Sequence, residues 1–144
     1  HGAAVLASDE VIQYLVNFSR SFIYTTAMIP HSVATIRAGY ETLQTTKSIE
    51  QLHHNIQYFK TQIAKYNIQG FIPSDSAIQA IVVAGNERVK ALAEVLQAQD
   101  IGVLPILAPT VPVGQERLRI CLHSFNTEQE IEKLISQLAS LSII

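Results

Sequence analysis

The stretch Ala108-Pro109-Thr110-Val111-Pro112-Val113-Gly114-Gln115-Glu116-Arg117-Leu118-Arg119-Ile120 decides how the rest of the chain is read. Pro109 and Pro112 fix φ and remove backbone donors, and Gly114 permits a turn, so residues 108–114 form a stiff, specified loop. Beyond the loop the side chains alternate. Leu118, Ile120 and Leu122 share one face of a strand, and Arg117, Arg119, Cys121 and His123 share the other. The first face suits a core beneath helices. The second holds guanidinium groups on a rigid support. Two readings of them stand on pattern alone. One is an edge arginine in water or in a structural ion pair. The other is a clamp whose planar fork donates two parallel hydrogen bonds to a carboxylate.

Downstream, Phe125-Asn126-Thr127 leads into a helix. Thr127 and Glu130 make a capping box, and Ile131, Leu134, Ile135 and Leu138 form its buried stripe. Upstream, Ala77 to Ala84 is an apolar β run. Gly85 turns the chain, Asn86 caps, and Val89, Leu92, Val95 and Leu96 carry a helix. Ile101 to Leu107 reads as a strand that Pro105 demotes to an edge or irregular pairing. From Ala77 the order is strand, helix, strand, strand, helix. That order predicts an α/β (α+β) small domain: a three-stranded sheet with both helices on one face, in two layers.

The N-terminal half reads as helical. Ser48 with Gln51 makes a second capping box, and Ile49, Leu52, Ile56, Phe59, Ile63 and Tyr66 repeat at three and four until Asn67, Gly70 and Pro73 stop the helix. Pro30 opens an earlier helix with Val33, Ile36, Tyr40 and Leu43 on its buried face. Ser8 caps the first, with Asp9 and Glu10 in its opening turn and Val11, Ile12, Leu15, Val16 and Phe18 as its stripe. Between these two, Arg20 to Ala27 breaks the helical period with β-branched and aromatic residues. Thr25 and Thr26 there supply two hydroxyls and two amides, which suit an oxyanion such as phosphate; the same pair also reads as a connector turn. Ala3 to Ala7 reads as a buried strand without a partner.

Composition bounds the function. The chain has 144 residues, 48% hydrophobic and 15% charged, with a net charge of −2. No basic excess argues for nucleic acid, and no run of eighteen apolar residues argues for a membrane span. The single Cys121 excludes an internal disulfide and fits a reducing, cytoplasmic setting. Of the five histidines, His53 and His54 are adjacent and would point about 100° apart on a helix. No Cys or His pair has metal-ligand spacing, so no metal is expected. The chain opens HGAAVLAS, and its one methionine is Met28, so it reads as a piece of a longer protein.

Three motifs, in order, resemble one family. GAAVLAS, FIYTTAMIP and APTVPVGQERLRI are similar to successive segments near the C-terminus of the α-oxoamine synthases, pyridoxal-phosphate-dependent acyltransferases with the fold-type-I architecture. The resemblance implies that residues 1–46 are the end of the large cofactor-binding domain and a helical connector. Residues 47–144 would be the C-terminal small domain. It implies that Thr25 and Thr26 contact the cofactor phosphate across a homodimer interface, that Thr110 contacts substrate, and that Arg119 holds the amino-acid carboxylate. It implies condensation of an amino acid with an acyl-CoA, with decarboxylation. RICLHSFNT and the TTA after FIY are most like the member that joins L-alanine to a pimeloyl thioester in biotin synthesis. Other members, such as 2-amino-3-ketobutyrate CoA ligase, or a non-catalytic partner subunit of the same fold, stay open. The family's Schiff-base lysine would lie upstream of His1, so this chain alone is expected to be inactive.

Overall fold

The computed structural model describes residues 4–141. They fall into two compact units, which meet between Thr46 and Lys47.

The first unit is helical. It comprises α1 (Asp9–Phe18), α2 (Arg20–Ile23) and α3 (Pro30–Thr45). Pro30 stands at the start of α3, where its missing N–H costs nothing. Ser8 occupies the N-cap position of α1, and Asp9 and Glu10 fill the first turn. Three expectations change here. Residues 4–8 are irregular, with Val5 and Leu6 exposed, so the described part of Ala3–Ala7 is not a strand; Ala3 lies outside the described residues. A strand is stable only against a neighbour that takes up its hydrogen bonds, and the described residues offer none. Arg20 to Ile23 forms a helical turn where the sequence reads as a break in the helical period, because its N–H groups find carbonyls one turn back, as in Ile23 N–H to Ser19 O at 2.9 Å. The stripe of α3 is not buried: Val33, Tyr40 and Leu43 are all exposed, and no described residue of this unit is buried. Periodicity specifies which face is apolar, but burial needs a covering surface, which these residues do not supply.

The second unit has a core of its own. Its elements are α4 (Ser48–Lys65), β1 (Phe71–Ile72), β2 (Ile78–Val82), α5 (Asn86–Gln97), β3 (Val103–Ile106), β4 (Arg117–Cys121) and α6 (Glu128–Ser140). The sheet is antiparallel with strand order β1-β2-β4-β3, so β4 is central. It has four strands where the pattern predicts three. In the sequence Gly70 and Pro73 signal only a helix stop, yet between them Phe71 pairs with Ile81 and Ile72 with Ala80. Pro105 lies on β3, an edge strand, as its missing donor requires.

One sheet face is the core. Ile81, Leu118 and Ile120 are buried there against Val89, Leu92, Ala93 and Leu96 of α5 and Ile131, Leu134, Ile135 and Leu138 of α6. Ile56 and Phe59 of α4 complete it, with Phe59 edge-on to Phe71 at 5.5 Å between ring centroids. Three helices therefore cover this face. Val95 of α5 is exposed, and Ala93 takes the buried position in its place. The capping box of α6 forms as expected, with Thr127 accepting from the Glu130 N–H and the Glu130 carboxylate accepting from the Thr127 N–H. At α4 the helix starts one residue earlier than expected. Lys47 holds the N-cap position and Ser48 is already helical, so the Ser48–Gln51 register is not that of a capping box.

Candidate functional site

The second sheet face is only partly covered. It carries Ala80 and Val82 of β2, Leu104 and Ile106 of β3, and Arg117 and Arg119 of β4. Arg119 sits at the centre, paired with Ala80 on one side and Leu104 on the other. The strand ends at Cys121, which is exposed, so His123 does not share this face as the alternation suggested. His123 lies in the turn before α6, stacked on Phe125 at 4.8 Å. The turn Asn126 makes there ends the strand: its side-chain oxygen accepts from the His123 N–H at 2.8 Å.

The two arginines differ. Arg117 donates from Nε to the Gln115 carbonyl at 3.0 Å and is committed to its own loop. Arg119 has a buried Nε with no hydrogen-bond partner among the described residues. A buried, unpartnered guanidinium N–H is costly to a protein, and an external acceptor relieves the cost. A carboxylate offers two acceptor oxygens in the geometry of the fork. Of the two strand arginines, Arg119 is the one whose Nε has no partner among the described residues.

Thr110 lies in the loop between β3 and β4. It is exposed, and its hydroxyl makes no hydrogen bond among the described residues. The loop is ordered by the backbone bonds Val111 N–H to Leu107 O at 3.2 Å and Gln115 N–H to Pro112 O at 2.9 Å, and the Ala108–Pro109 peptide is cis. Thr110 and Arg119 therefore stand on one continuous loop and strand. Thr25 and Thr26 belong to the other unit. They sit in the exposed turn after α2, where the Thr25 hydroxyl makes only a 3.5 Å contact to the Thr26 carbonyl. Two weakly engaged hydroxyls beside backbone amides are donors of the kind a phosphate takes.

Sequence reasoning misses Glu116 and the part played by Asn86. Glu116 is 2% exposed. Its Oε2 accepts from both the Gly85 and Gly114 N–H groups at 2.9 Å. The Gly85 amide above all, then its own and that of Gly114, hold the carboxyl below its ordinary range against the opposing effect of burial. A signal was present: Glu116 is in phase with Leu118 and Ile120, an acid at a core-facing position. The sequence suggests Asn86 as a helix cap, but Gly85 takes that place. This frees the Asn86 side chain to bond Ala108 at the start of the loop. Among the described residues no cluster of three or more His, Cys, Asp and Glu could hold a metal ion, and no helix is long and apolar enough to cross a membrane.

A profile of the aminotransferase class I and II family matches residues 1–138. The chain belongs to that family. It is 38% identical over 147 residues to an 8-amino-7-oxononanoate synthase from Emericella nidulans, covering 97% of this chain and 35% of the relative. It thus spans about a third of the curated relative's length. Its fold matches the 8-amino-7-oxononanoate synthase from Francisella tularensis, with a TM-score of 0.77, 24% identity, and 93% of this chain and 39% of that one covered. It also matches a high-resolution structure of SPT with PLP internal aldimine, with a TM-score of 0.77, 20% identity, and 92% and 34% covered. These two likenesses show the fold, that of fold-type-I pyridoxal-phosphate enzymes.

Proposed function

We propose that this chain is the C-terminal part of an 8-amino-7-oxononanoate synthase-type acyltransferase, with Arg119 binding the amino-acid carboxylate. The observation that carries the reading is the Arg119 guanidinium: buried at Nε, unpartnered, and central on the partly open sheet face. The substrates are an amino acid, L-alanine, and an acyl thioester, pimeloyl-CoA. The reaction joins the amino-acid Cα to the acyl carbonyl, releases CoA as the thiol, and loses the carboxylate as CO2, a step of biotin synthesis in the cytoplasm. Pyridoxal phosphate, when bound, supplies an electron sink for the charge that develops at Cα.

This chain's residues bind and orient. Arg119 fixes the carboxylate by a charge-assisted pair whose loss costs about 1.5–3 kcal/mol. That fixes the direction of the Cα–H bond, so proximity and alignment are supplied before the reaction begins. Thr110, on the stiff loop, offers a free hydroxyl to the same substrate. Thr25 and Thr26 fit the cofactor phosphate by donor type, and we assign them to it across a homodimer interface. The lysine that carries the cofactor is assigned upstream of His1, so the 144-residue chain has no turnover of its own.

The test follows CoA release by the full-length protein with L-alanine plus pimeloyl-CoA, beside glycine plus acetyl-CoA, glycine plus succinyl-CoA and L-serine plus palmitoyl-CoA. Release with the alanine pair alone is expected. Release with another pair keeps the acyltransferase and changes its substrates, and no release with any pair contradicts the reading.

A further inference from the structure

The loop that carries Thr110 is held at both ends by side chains anchored to one segment, residues 83–86, which runs from the end of β2 into the first residue of α5. At its start the Asn86 Oδ1 accepts from the Ala108 N–H at 2.9 Å, and the Asn86 amide faces the Ala108 carbonyl at 3.4 Å. At its end Glu116 Oε2 accepts from the Gly114 and Gly85 N–H groups, and the Glu116 carbonyl accepts from the Val83 N–H at 2.8 Å. Gly85 and Gly114 both have φ in the left-handed region, +100° and +84°, which glycine adopts without the strain a side chain would bring. Glu116 shares the phase of Leu118 and Ile120, so it lies on the opposite side of the strand from Arg119.

We propose that Asn86 and Glu116 are positioning residues, locking the 108–114 loop onto the 83–86 segment and so fixing Thr110 and the start of the strand that presents Arg119. The inference rests on Thr110 and Arg119 being the amino-acid contacts. A buried carboxylate is tolerated only when its acceptor capacity is filled, and here one oxygen takes two amides at once. What the loop requires at this position is an acceptor atom for the Gly85 and Gly114 amides. A glutamine carbonyl in the place of Oε2 would keep both bonds. A methyl group would leave both amides without an acceptor.

The test uses the full-length protein with Glu116→Ala, Glu116→Gln, Asn86→Ala and Arg119→Ala. Each variant is assayed with the amino acid and the thioester varied separately, and amide hydrogen exchange is followed at residues 83–86 and 110–114. Glu116→Ala and Asn86→Ala are expected to raise the amino-acid KM about fivefold or more with the thioester KM within about twofold, and Glu116→Gln to stay near wild type. Exchange in both segments should accelerate about tenfold or more in the two alanine variants and not in Glu116→Gln. A lowered melting temperature with unchanged amino-acid KM and unchanged loop exchange overturns the proposal and leaves a merely structural acid. If Glu116→Ala does not fold, Asn86→Ala decides: a wild-type amino-acid KM there overturns the proposal. Arg119→Ala separates the two readings. An unchanged KM in that variant removes Arg119 from the site whatever Glu116 does. A raised KM there, with Glu116→Ala and Asn86→Ala unchanged, removes only the positioning role. In a protein without turnover, unaccelerated exchange alone overturns it.

Discussion

At the scale of single residues, position within the strand alternation separates the roles of three neighbouring charged side chains. Glu116 faces the core and must be satisfied there; Arg117 and Arg119 face the other way, and only Arg119 is left with an unpartnered buried N–H. Glu116 makes a pH prediction. Its carboxyl is held below the ordinary value of 4.5, so the ionised form is favoured in the folded state. Its stabilisation is therefore complete above about pH 4.5 and is lost as pH falls through the lower folded value. Urea unfolding followed from pH 6 to pH 3 should show a steeper loss of stability in the wild type than in Glu116→Gln; parallel curves would mean that the two glycine amides do not favour the charged form. Tyr58 works in the opposite direction. The Glu132 carboxylate that accepts a hydrogen bond from its hydroxyl raises its pKa to about 12, so its contribution is present below pH 10 and lost as pH rises towards 12.

At the scale of elements, the polar residues inside apolar stripes tie the helices to the sheet. Asn55 lies in α4 between Leu52 and Phe59 and is fully buried. Its amide nitrogen donates to the His123 and Asn126 carbonyls at 2.9 Å each, and its oxygen accepts from Gln51 at 3.1 Å. It thereby joins α4 to the turn between β4 and α6. Asn55→Ala removes a donor from the part-buried Asn126 carbonyl and one of the two donors to the His123 carbonyl, and should cost about 1–3 kcal/mol. Urea denaturation of the 144-residue chain measures this, and a loss below about 0.5 kcal/mol would show that water replaces the amide. The elements also show what the sequence made legible. The stripe and capping box of α6 were readable because every signal is local: Thr127, Glu130 and the three-four spacing from Ile131 to Leu138. The loop and strand with Thr110 and Arg119 were readable because prolines, glycine and alternation punctuate them. The two-residue β1 was not, since its pairing with β2 is fixed by contacts rather than by its own residues. Glu116, Asn86 and Asn55 were missed for a related reason. Each is polar, each sits where a local rule gives it an ordinary role, and each has a partner distant in sequence.

At the scale of the whole molecule, the two units differ in what holds them together. Among the described residues, the unit from Lys47 onward packs three helices on a four-stranded sheet around seventeen buried apolar residues. The described residues up to Thr46 bury none, and Val5, Leu6, Tyr14, Val16, Phe18 and Phe22 are exposed. Residues 47–144 alone should therefore unfold cooperatively. The 144-residue chain should associate with increasing concentration through its exposed apolar stripes. Sedimentation velocity of both decides this: a 144-residue chain that stays monomeric at about 100 μM would show that these stripes are not adhesive. The chain belongs to the aminotransferase class I and II family, and among its described residues the Arg119 Nε is left without a hydrogen-bond partner. The proposed role of Arg119 assigns that group to a carboxylate from outside the chain.

The measurement that bears most directly on that claim compares the binding of L-alanine and L-alaninamide to the full-length protein and to Arg119→Ala. If Arg119 holds the carboxylate, the wild type binds L-alanine about 10- to 150-fold more tightly than the amide, and Arg119→Ala loses most of that preference. An Arg119→Ala protein that still discriminates as strongly as the wild type would contradict the account and return Arg119 to the structure.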